Sequence, residues 1–317
     1  TMHPQRHEFK GVVAAIITPY GRDGKIAEDV YRKVMESNIQ AGIHGFWVAG
    51  GAGESVYLTD EERIRLAELS VDQARGRAKI ILHAGSITTA STVRIARGAA
   101  AAAAAAIASV PPLFYRPSDR AIVEYYQAVG GATGLPLFLY NWPGATGPEI
   151  MPPLMERLVR DVPELAGLKH SVLNLNPLRS FVQMGLATYM GSCGMLLPAL
   201  SLGAVGTIDG PPGLFPELFV EVYDAYQKGD LRRAQEAQER GNRLIQLFWG
   251  GPLAECYHAA FKAILSARLG VECGQPRPPL LPISEEQVRE LLVQLSAMGL
   301  MKPTTVQRKA RRKRSAA

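Results

Sequence analysis

Cysteine is scarce in this chain: 317 residues contain three, and none stands in a CxxC pair. The wide separation of Cys193, Cys256 and Cys273 offers no zinc-ligand spacing and no disulfide framework, so we expect three idle thiols in a reducing compartment. A chain of this length, with 47% hydrophobic and 20% charged residues, buries a core large enough to fold without a metal or a disulfide. The composition therefore excludes disordered, collagen-like and disulfide-stapled proteins.

Long uninterrupted apolar runs are also missing. A membrane-spanning helix needs about 20 consecutive apolar residues, and the two least charged stretches, 125–148 and 180–208, are cut by glycines and prolines. The first ten residues contain no apolar core of a signal peptide. We therefore expect no membrane partner and a cytoplasmic location.

The body of the chain lacks an excess of positive charge, although the formal net charge is +6. Seven of the 35 basic residues and no acid fall within 302–317, which leaves 28 basic against 29 acidic residues elsewhere. A nucleic-acid-binding face needs its positive charge in the folded body, so nucleic acid is not an expected partner. The tail 301–317 has no apolar periodicity and is predicted to be disordered. Weak RNA binding through this tail stays open as a third function, testable by truncation after Met301.

The first two-thirds of the chain contains eight short apolar runs, each typical of a strand buried on both faces. Helical patterns separate most of these runs, and this alternation predicts an α/β fold, a (β/α)8 TIM barrel. A doubly wound parallel sheet is the alternative, but its glycine fingerprint is missing after the first strand. The predicted strands are 12–17, 45–48, 79–82, 107–110, 135–140, 165–169, 188–190 and 205–208. The predicted helices between them are 27–40, 59–74, 91–106, 118–129, 152–159, 177–184 and 194–202.

Three further helices are predicted after the eighth strand unit, over 231–247, 254–269 and 284–298. We divide the chain into an N-terminal extension (1–8), the barrel (9–230), C-terminal helices (231–300) and the basic tail (301–317). Eight consecutive alanines occupy 99–106, and because alanine favours helix they are predicted to end the third helix. They leave no glycine for the turn into the fourth strand.

Lys169 and Tyr140 stand at the ends of neighbouring predicted strands, where the reactive groups of a (β/α)8 barrel gather. A desolvated lysine has a lowered pKa, and its neutral amine can attack a carbonyl to form a Schiff base. A phenol beside it can move a proton. Each residue also has an ordinary alternative, because Lys169 could pair with an acid at the rim and Tyr140 could be a packing residue. The glycine-rich segment 50–53 can turn backbone N–H groups towards a small anion such as a carboxylate.

Strands seven and eight end in Gly191-Ser192-Cys193 and Ile208-Asp209-Gly210. Asp209 could bind hydroxyl groups or a cationic group of a substrate, or it could cap a helix. Ser192 and Cys193 could face a substrate or only form the loop, and no base stands beside Cys193 in the sequence. His170 follows the lysine and, by strand alternation, is expected to point away from the interior.

Five motifs follow one another along the chain at the spacing of the predicted barrel. They are Ala15-Ile16-Ile17-Thr18-Pro19-Tyr20 with Asp23-Gly24, Gly50-x-x-Gly53-Glu54 with Leu58-Thr59-x-Glu61-Glu62-Arg63, Pro112-Leu113-Phe114-Tyr115 with Pro117-Ser118, Tyr140-Asn141-x-Pro143, and Gly167-Leu168-Lys169. Over about residues 9–300, these motifs resemble the pyruvate-aldolase family of dihydrodipicolinate synthase and N-acetylneuraminate lyase. The resemblance implies that Lys169 is the Schiff-base lysine, that Tyr140 transfers a proton, that no metal or organic cofactor is needed, and that the chain forms a homo-oligomer, a dimer or tetramer.

Several positions depart from the family pattern. Gly51 and Ala52 stand where the family usually has Ser/Thr-Thr, so only backbone N–H groups remain to hold a substrate carboxylate. Phe114, followed by Tyr115, occupies the place of a tyrosine that reaches the neighbouring subunit in dihydrodipicolinate synthase. Ala145 replaces an arginine that binds a second carboxylate, and such bidentate contacts are hard to replace. The pattern therefore argues against dihydrodipicolinate synthase itself.

The sequence predicts a Schiff-base-forming lyase or aldolase that acts on a 2-oxo acid of the pyruvate type. The alternative is a non-catalytic or regulatory 2-oxo-acid-binding member of the same fold, suggested by the hydroxyls missing at Gly51 and Ala52. The predicted catalytic residues are Lys169 and Tyr140, with no metal ligand. The predicted substrate-binding residues are Gly51, Ala52, Tyr115, Ser192, Ile208 and Asp209.

Overall fold

The computed structural model describes residues 4–249, 251 and 253–301, and its eight parallel strands close into a barrel. Neighbouring strands follow one another in the sequence, and β1 pairs with β8 to complete the ring. This arrangement confirms the predicted TIM barrel. The strands are β1 Gly11–Ala15, β2 Gly45–Val48, β3 Lys79–His83, β4 Ala106–Ser109, β5 Leu137–Asn141, β6 Leu165–His170, β7 Ala187–Met190 and β8 Gly206–Asp209.

Helices connect the strands and extend beyond the barrel. Thr59 caps α2 through a capping box with Glu62, as its position in the sequence indicates. The three helices predicted after the barrel are present as α10, α11 and α12. The helices are α1 Glu28–Gln40, α2 Asp60–Ala74, α3 Thr89–Ala101, α4 Asp119–Gly131, α5 Pro143–Thr146, α6 Pro152–Asp161, α7 Leu175–Gln183, α8 Leu196–Ser201, α9 Pro216–Gln227, α10 Leu231–Ile245, α11 Tyr257–Leu269 and α12 Glu285–Ala297.

Helix α9 is absent from the sequence prediction, although it completes the eighth strand–helix unit. It begins with Pro216 at its first turn and has no side-chain cap. Its buried face includes Leu218, Phe219, Val222 and Tyr223, which have helical spacing. The signal was therefore in the sequence, but it followed a Pro-Pro-Gly segment that has the composition of a loop. Residues 302–317, nearly all of the predicted basic tail, lie outside the described residues, and the proposed domain boundaries remain predictions.

The sequence predicts that the alanine run continues the third helix to residue 106, and this prediction is wrong. Helix α3 ends at Ala101, Ala103 adopts a left-handed conformation with φ of 62°, and Ala106 is already the first residue of β4. The turn that sequence reasoning could not explain is thus made by an alanine in a conformation that favours glycine. The helix propensity of alanine is overridden because Ala104 and Ala106 are buried in the core.

Ala103→Gly is expected to stabilise the protein. A left-handed conformation costs an L-residue roughly 1–2 kcal/mol, and glycine avoids this cost. After allowance for the greater freedom of glycine in the unfolded chain, the free energy of unfolding should rise by about 1 kcal/mol. Urea denaturation measures this change. Ala100→Gly, inside α3, is the matched control and should lower the same free energy by roughly 0.5–1 kcal/mol; an equal loss in both variants would contradict the assignment.

The barrel interior is filled by side chains from alternate positions of the strands. Phe9 packs edge-on against Phe138, with ring centroids 4.9 Å apart. Trp47 and Tyr140 meet edge-on with centroids 5.5 Å apart, in the same buried cluster. Ile208 is fully buried in that cluster too. Because apolar side chains fill this interior, polar chemistry is restricted to the end of the barrel beyond them.

Candidate active site

A cavity of about 350 Å³ lies where the strands end at their C-termini. It brings together six residues that sequence analysis singled out: Lys169, Tyr140, Gly51, Ala52, Ser192 and Asp209. The rest of its lining consists of small residues, one serine, one leucine and several aromatic residues, namely Ala15, Trp142, Ser171, Leu173, Gly191, Gly210, Trp249, Tyr257 and Phe261.

Lys169 occupies the penultimate position of β6 and is almost fully buried. Its Nζ lies 4.4 Å from the centroid of the Tyr140 ring and 5.5 Å from that of Trp47. Burial lowers the pKa of this amine to about 8, while the negative charge of Asp209 acts in the opposite direction. The effect of desolvation on the pKa is larger than that of Asp209, because the aromatic surroundings stabilise the charged amine less well than water does. A useful fraction of the amine is therefore neutral and nucleophilic near neutral pH.

Tyr140 stands beside Lys169 on β5, with which β6 pairs. Burial raises the pKa of its phenol, and Ser171 beside it works against the rise. The ring stacks on Trp142, with centroids 5.5 Å apart and an angle of 14° between the planes. The phenol therefore keeps its proton at neutral pH and can donate it within the cavity.

The segment 50–53 forms a tight turn after β2. Its internal hydrogen bonds use the backbone N–H groups of Gly53, Glu54 and Ser55. Within the described chain, the N–H groups of Gly51 and Ala52 have no hydrogen-bond acceptor. These are the two groups that sequence analysis assigned to a substrate carboxylate, and both residues line the cavity. The geometry thus leaves them free for an anion.

A buried ion pair, which sequence reasoning missed, holds Glu54 at the end of this turn. Glu54 Oε1 lies 2.6 Å from Lys262 Nζ, and the two side chains are 0% and 1% exposed. The second carboxylate oxygen accepts a hydrogen bond from the backbone N–H of Arg277, and Lys262 donates to the carbonyl of Gln275. Burial lowers the pKa of Lys262, and Glu54 opposes this shift. The C-terminal helical region therefore holds the turn in place.

Asp209 lines the cavity with its carboxylate already partly engaged. Its two oxygens accept hydrogen bonds from the backbone N–H groups of Cys193 and Gly210, at 2.9 and 2.8 Å. Burial raises the pKa of the Cys193 thiol well above its usual value, and the charge of Asp209 adds to the rise. The thiol is therefore protonated, which argues against a nucleophilic role for Cys193.

Two predicted binding residues do not reach this cavity within the chain. Ile208 is packed among the interior side chains below it. Tyr115 lies on the loop after β4 and is 80% exposed, edge-on to Phe114, which is 83% exposed with φ of 78°. The chain by itself therefore does not bring Tyr115 to Lys169. His170 packs outside the barrel against Phe181 of α7, as strand alternation indicates.

Ser171 is a cavity residue that sequence reasoning missed. Its hydroxyl is buried and makes no hydrogen bond of good geometry to the described residues. A signal was available, because Ser171 follows Lys169 by two positions and such residues share one face of a strand. A Cβ atom at Gly191 would overlap the Ser171 side chain. Glycine at position 191 is therefore what gives this hydroxyl its place.

The family model of the dihydrodipicolinate synthetase family matches residues 8–298. The chain belongs to this family. A 4-hydroxy-tetrahydrodipicolinate synthase of Maridesulfovibrio salexigens is 30% identical over 92% of this chain and 99% of its own. The "Probable 2-dehydro-3-deoxy-D-pentonate aldolase" of Escherichia coli is 28% identical over 93% and 99% of the two chains. The structure of the Ruminococcus gnavus sialic acid aldolase has a TM-score of 0.86, 25% identity and coverage of 92% and 98%.

Family and relatives place the chain among aldolases and lyases of the dihydrodipicolinate synthase and N-acetylneuraminate lyase type, as a divergent member. None of the helices in the described part of the chain is long and apolar enough to cross a membrane. Within the same residues, no three His, Cys, Asp or Glu side chains group as a metal site would require.

The departure from the family at Gly51 has a structural explanation. A Cβ atom at this position would lie 3.3 Å from the indole ring of Trp142 and 3.9 Å from the Tyr140 hydroxyl. The indole of Trp142 therefore leaves little room for a side chain larger than that of glycine at position 51.

Proposed function

We propose that the chain is a class I lyase or aldolase that forms a Schiff base with a 2-oxo acid of the pyruvate type. The observation that carries this proposal is the buried Lys169 amine, with its lowered pKa, next to the protonated phenol of Tyr140 in one cavity. A lysine that was only structural would pair with an acid, as Lys262 does. The family to which the chain belongs supports the same reaction class.

In the proposed mechanism, the neutral amine of Lys169 attacks the keto carbon and water is lost, which leaves an iminium. The iminium withdraws electrons from the adjacent carbon, so a C–C bond there can break or form. Tyr140 donates its proton to the new alkoxide during synthesis, and during cleavage it accepts the proton of the substrate hydroxyl while its own passes to a neighbouring hydroxyl group or to water. The N–H groups of Gly51 and Ala52 hold the carboxylate, and Asp209 and Ser192 face the rest of the substrate.

We further propose that the protein works as a homo-oligomer in the cytoplasm. Phe114 and Tyr115 expose two adjacent aromatic rings, and Val56 and Ile87 are also largely exposed. The rings of Phe114 and Tyr115 contact each other, and contiguous exposed apolar surface is the kind that marks protein contacts. The three cysteines are free and buried, as suits a reducing compartment.

Borohydride trapping tests the Schiff base. Incubation with pyruvate and borohydride should add one reduced pyruvyl group per chain, and peptide mass spectrometry should place it on Lys169. Lys169→Ala should abolish the label, whereas Lys25→Ala, an exposed lysine, should keep it. Label that survives Lys169→Ala would contradict the assignment.

The non-catalytic alternative makes a different forecast in the same experiment. The missing hydroxyls at Gly51 and Ala52 favour it, since a proton relay through them is lost. A trapped adduct together with no turnover on any 2-oxo acid tested would support a binding protein. Turnover that depends on Lys169 would support the enzyme.

A further inference from the structure

Trp142 contributes an aromatic surface to the cavity that contains Lys169. This residue follows β5 and stacks on the ring of Tyr140, so the two flat surfaces are nearly parallel. The indole also lies against the backbone of Gly51. A rigid apolar surface thus stands directly beside the group that moves the proton.

A second group of aromatic rings in the lining comes from the C-terminal helical region, which sequence analysis did not connect with the site. Trp249 and Tyr257 meet edge-on with ring centroids 5.1 Å apart, and Tyr257 meets Phe261 at 5.5 Å. A Cβ atom at Gly210 would lie 2.5 Å from the Phe261 ring, so a glycine next to Asp209 admits this ring. Aromatic rings from two distant parts of the chain therefore line the cavity that contains Lys169.

The described lining holds two charged side chains, and its other polar side chains are those of two tyrosines, two serines and two tryptophans. Lys169 and Asp209 are its charged residues, and both oxygens of Asp209 already accept backbone hydrogen bonds. Ala145 offers no positive charge for a second carboxylate. At the rim, Leu173 and Trp249 expose 69% and 43% of their surface. A second carboxylate would lose its hydrogen bonds to water here and would find no cation besides Lys169 among the described lining residues.

We propose that the molecule joined to, or released from, pyruvate at this site is an aromatic or similarly flat, apolar aldehyde. The inference rests on the function proposed above, and it adds the chemical class of the second substrate. An aromatic ring bound against these lining residues would be removed from water and would pack on indole and phenol surfaces. Its aldehyde carbon would then face Lys169 and Tyr140.

The reaction balances without an oxidant or a further co-reactant. Lys169 and pyruvate form the iminium with uptake of one proton and loss of water, and transfer of a methyl proton to water converts it to the enamine. The enamine carbon attacks the aldehyde carbon, and the new alkoxide takes a proton from Tyr140, which regains one from water. Hydrolysis then releases a 4-hydroxy-2-oxo acid with an apolar substituent, and the amine of Lys169 is regenerated.

A panel of aldehydes tests the proposal. Initial rates with pyruvate and benzaldehyde, glyceraldehyde or aspartate semialdehyde are compared, alongside borohydride trapping of pyruvate. We expect kcat/KM for benzaldehyde to exceed the other two by about tenfold or more. An equal or higher kcat/KM for glyceraldehyde or aspartate semialdehyde overturns the inference and, if pyruvate is still trapped on Lys169, leaves the proposed function standing. If pyruvate is not trapped on Lys169, both the inference and the proposed function are contradicted.

Rim variants identify the surface responsible. Trp249→Ala should lower kcat/KM for benzaldehyde about tenfold, chiefly through KM, and should affect glyceraldehyde less. Trp249→Phe keeps an aromatic face and should retain most of the activity. Leu173→Ala is a second exposed rim variant with the same direction of effect, and Leu231→Ala, an exposed leucine away from the cavity, is the control. Unchanged selectivity in both rim variants contradicts the inference.

Discussion

Tyr140→Phe is expected to lower kcat for cleavage of a 4-hydroxy-2-oxo acid by about 10²- to 10⁴-fold, the usual contribution of general acid–base catalysis. The substitution keeps the ring that stacks on Trp142 and lies over the Lys169 amine. It removes only the hydroxyl, whose proton is retained because burial raises the pKa of the phenol. The loss should therefore fall on proton transfer and not on packing.

Few groups near Tyr140 could take over the proton transfer when its hydroxyl is removed. Gly51 and Ala52 carry no hydroxyl, and Phe114 carries none at the place where the family uses a second tyrosine. Ser171 provides the hydroxyl beside Tyr140, and it has no competing partner of good geometry among the described residues. A proton leaving Tyr140 can therefore pass through Ser171 or through water.

Two measurements separate this interpretation from a structural one. Pyruvate trapping on Lys169 should suffer less than cleavage, because the lysine and its surroundings remain. Tyr126→Phe is the matched control, since this buried tyrosine donates to the Ser109 carbonyl outside the cavity; its kcat should stay near the wild-type value. Cleavage by Tyr140→Phe at the wild-type rate would make Tyr140 a packing residue, and Asp209 would be the next candidate for the proton transfer.

Lys262→Met should lower the free energy of unfolding by about 3–5 kcal/mol, which is the cost of leaving one charge of a buried pair uncompensated. Glu54 would keep one backbone hydrogen bond, from Arg277, but lose the ammonium group 2.6 Å away. Because Glu54 directly follows the turn that lines the cavity, the substitution should also weaken pyruvate trapping. Urea denaturation and trapping at several pyruvate concentrations measure the two effects.

A surface ion pair of equal length provides the control. Lys79 Nζ lies 2.6 Å from Glu8 Oε2, but both side chains are about half exposed. Exposed pairs contribute about 0–1 kcal/mol, so Lys79→Met should have a small effect. The double variant Glu54→Gln/Lys262→Met should recover much of the loss, since neither charge is then left alone. A loss in Lys262→Met no greater than in Lys79→Met would show that the buried pair does not stabilise the fold.

Local pattern accounts for most of what the sequence predicts correctly. Strands buried on both faces appear as short apolar runs, and helices between them appear as periodic segments, so the order of elements and the barrel could be read directly. Lys169 and Tyr140 could be located because a strand end is a local property and a barrel collects strand ends at one face. The two clear errors, α9 and the alanine run, occur where composition and packing disagree.

The sequence by itself thus determined the barrel, the family and the position of Lys169 and Tyr140 at neighbouring strand ends, because each depends on residues close together in the chain. Tertiary structure alone decided what surrounds that pair. Trp249, Tyr257 and Lys262 belong to helices or turns after the barrel, and nothing in their local pattern marks them as neighbours of Gly51 or Glu54. Only the folding of the C-terminal region back onto the strand ends brings them into contact. That contact supplies part of the aromatic lining and the buried ion pair behind the turn, since side-chain packing joins residues that the sequence keeps far apart.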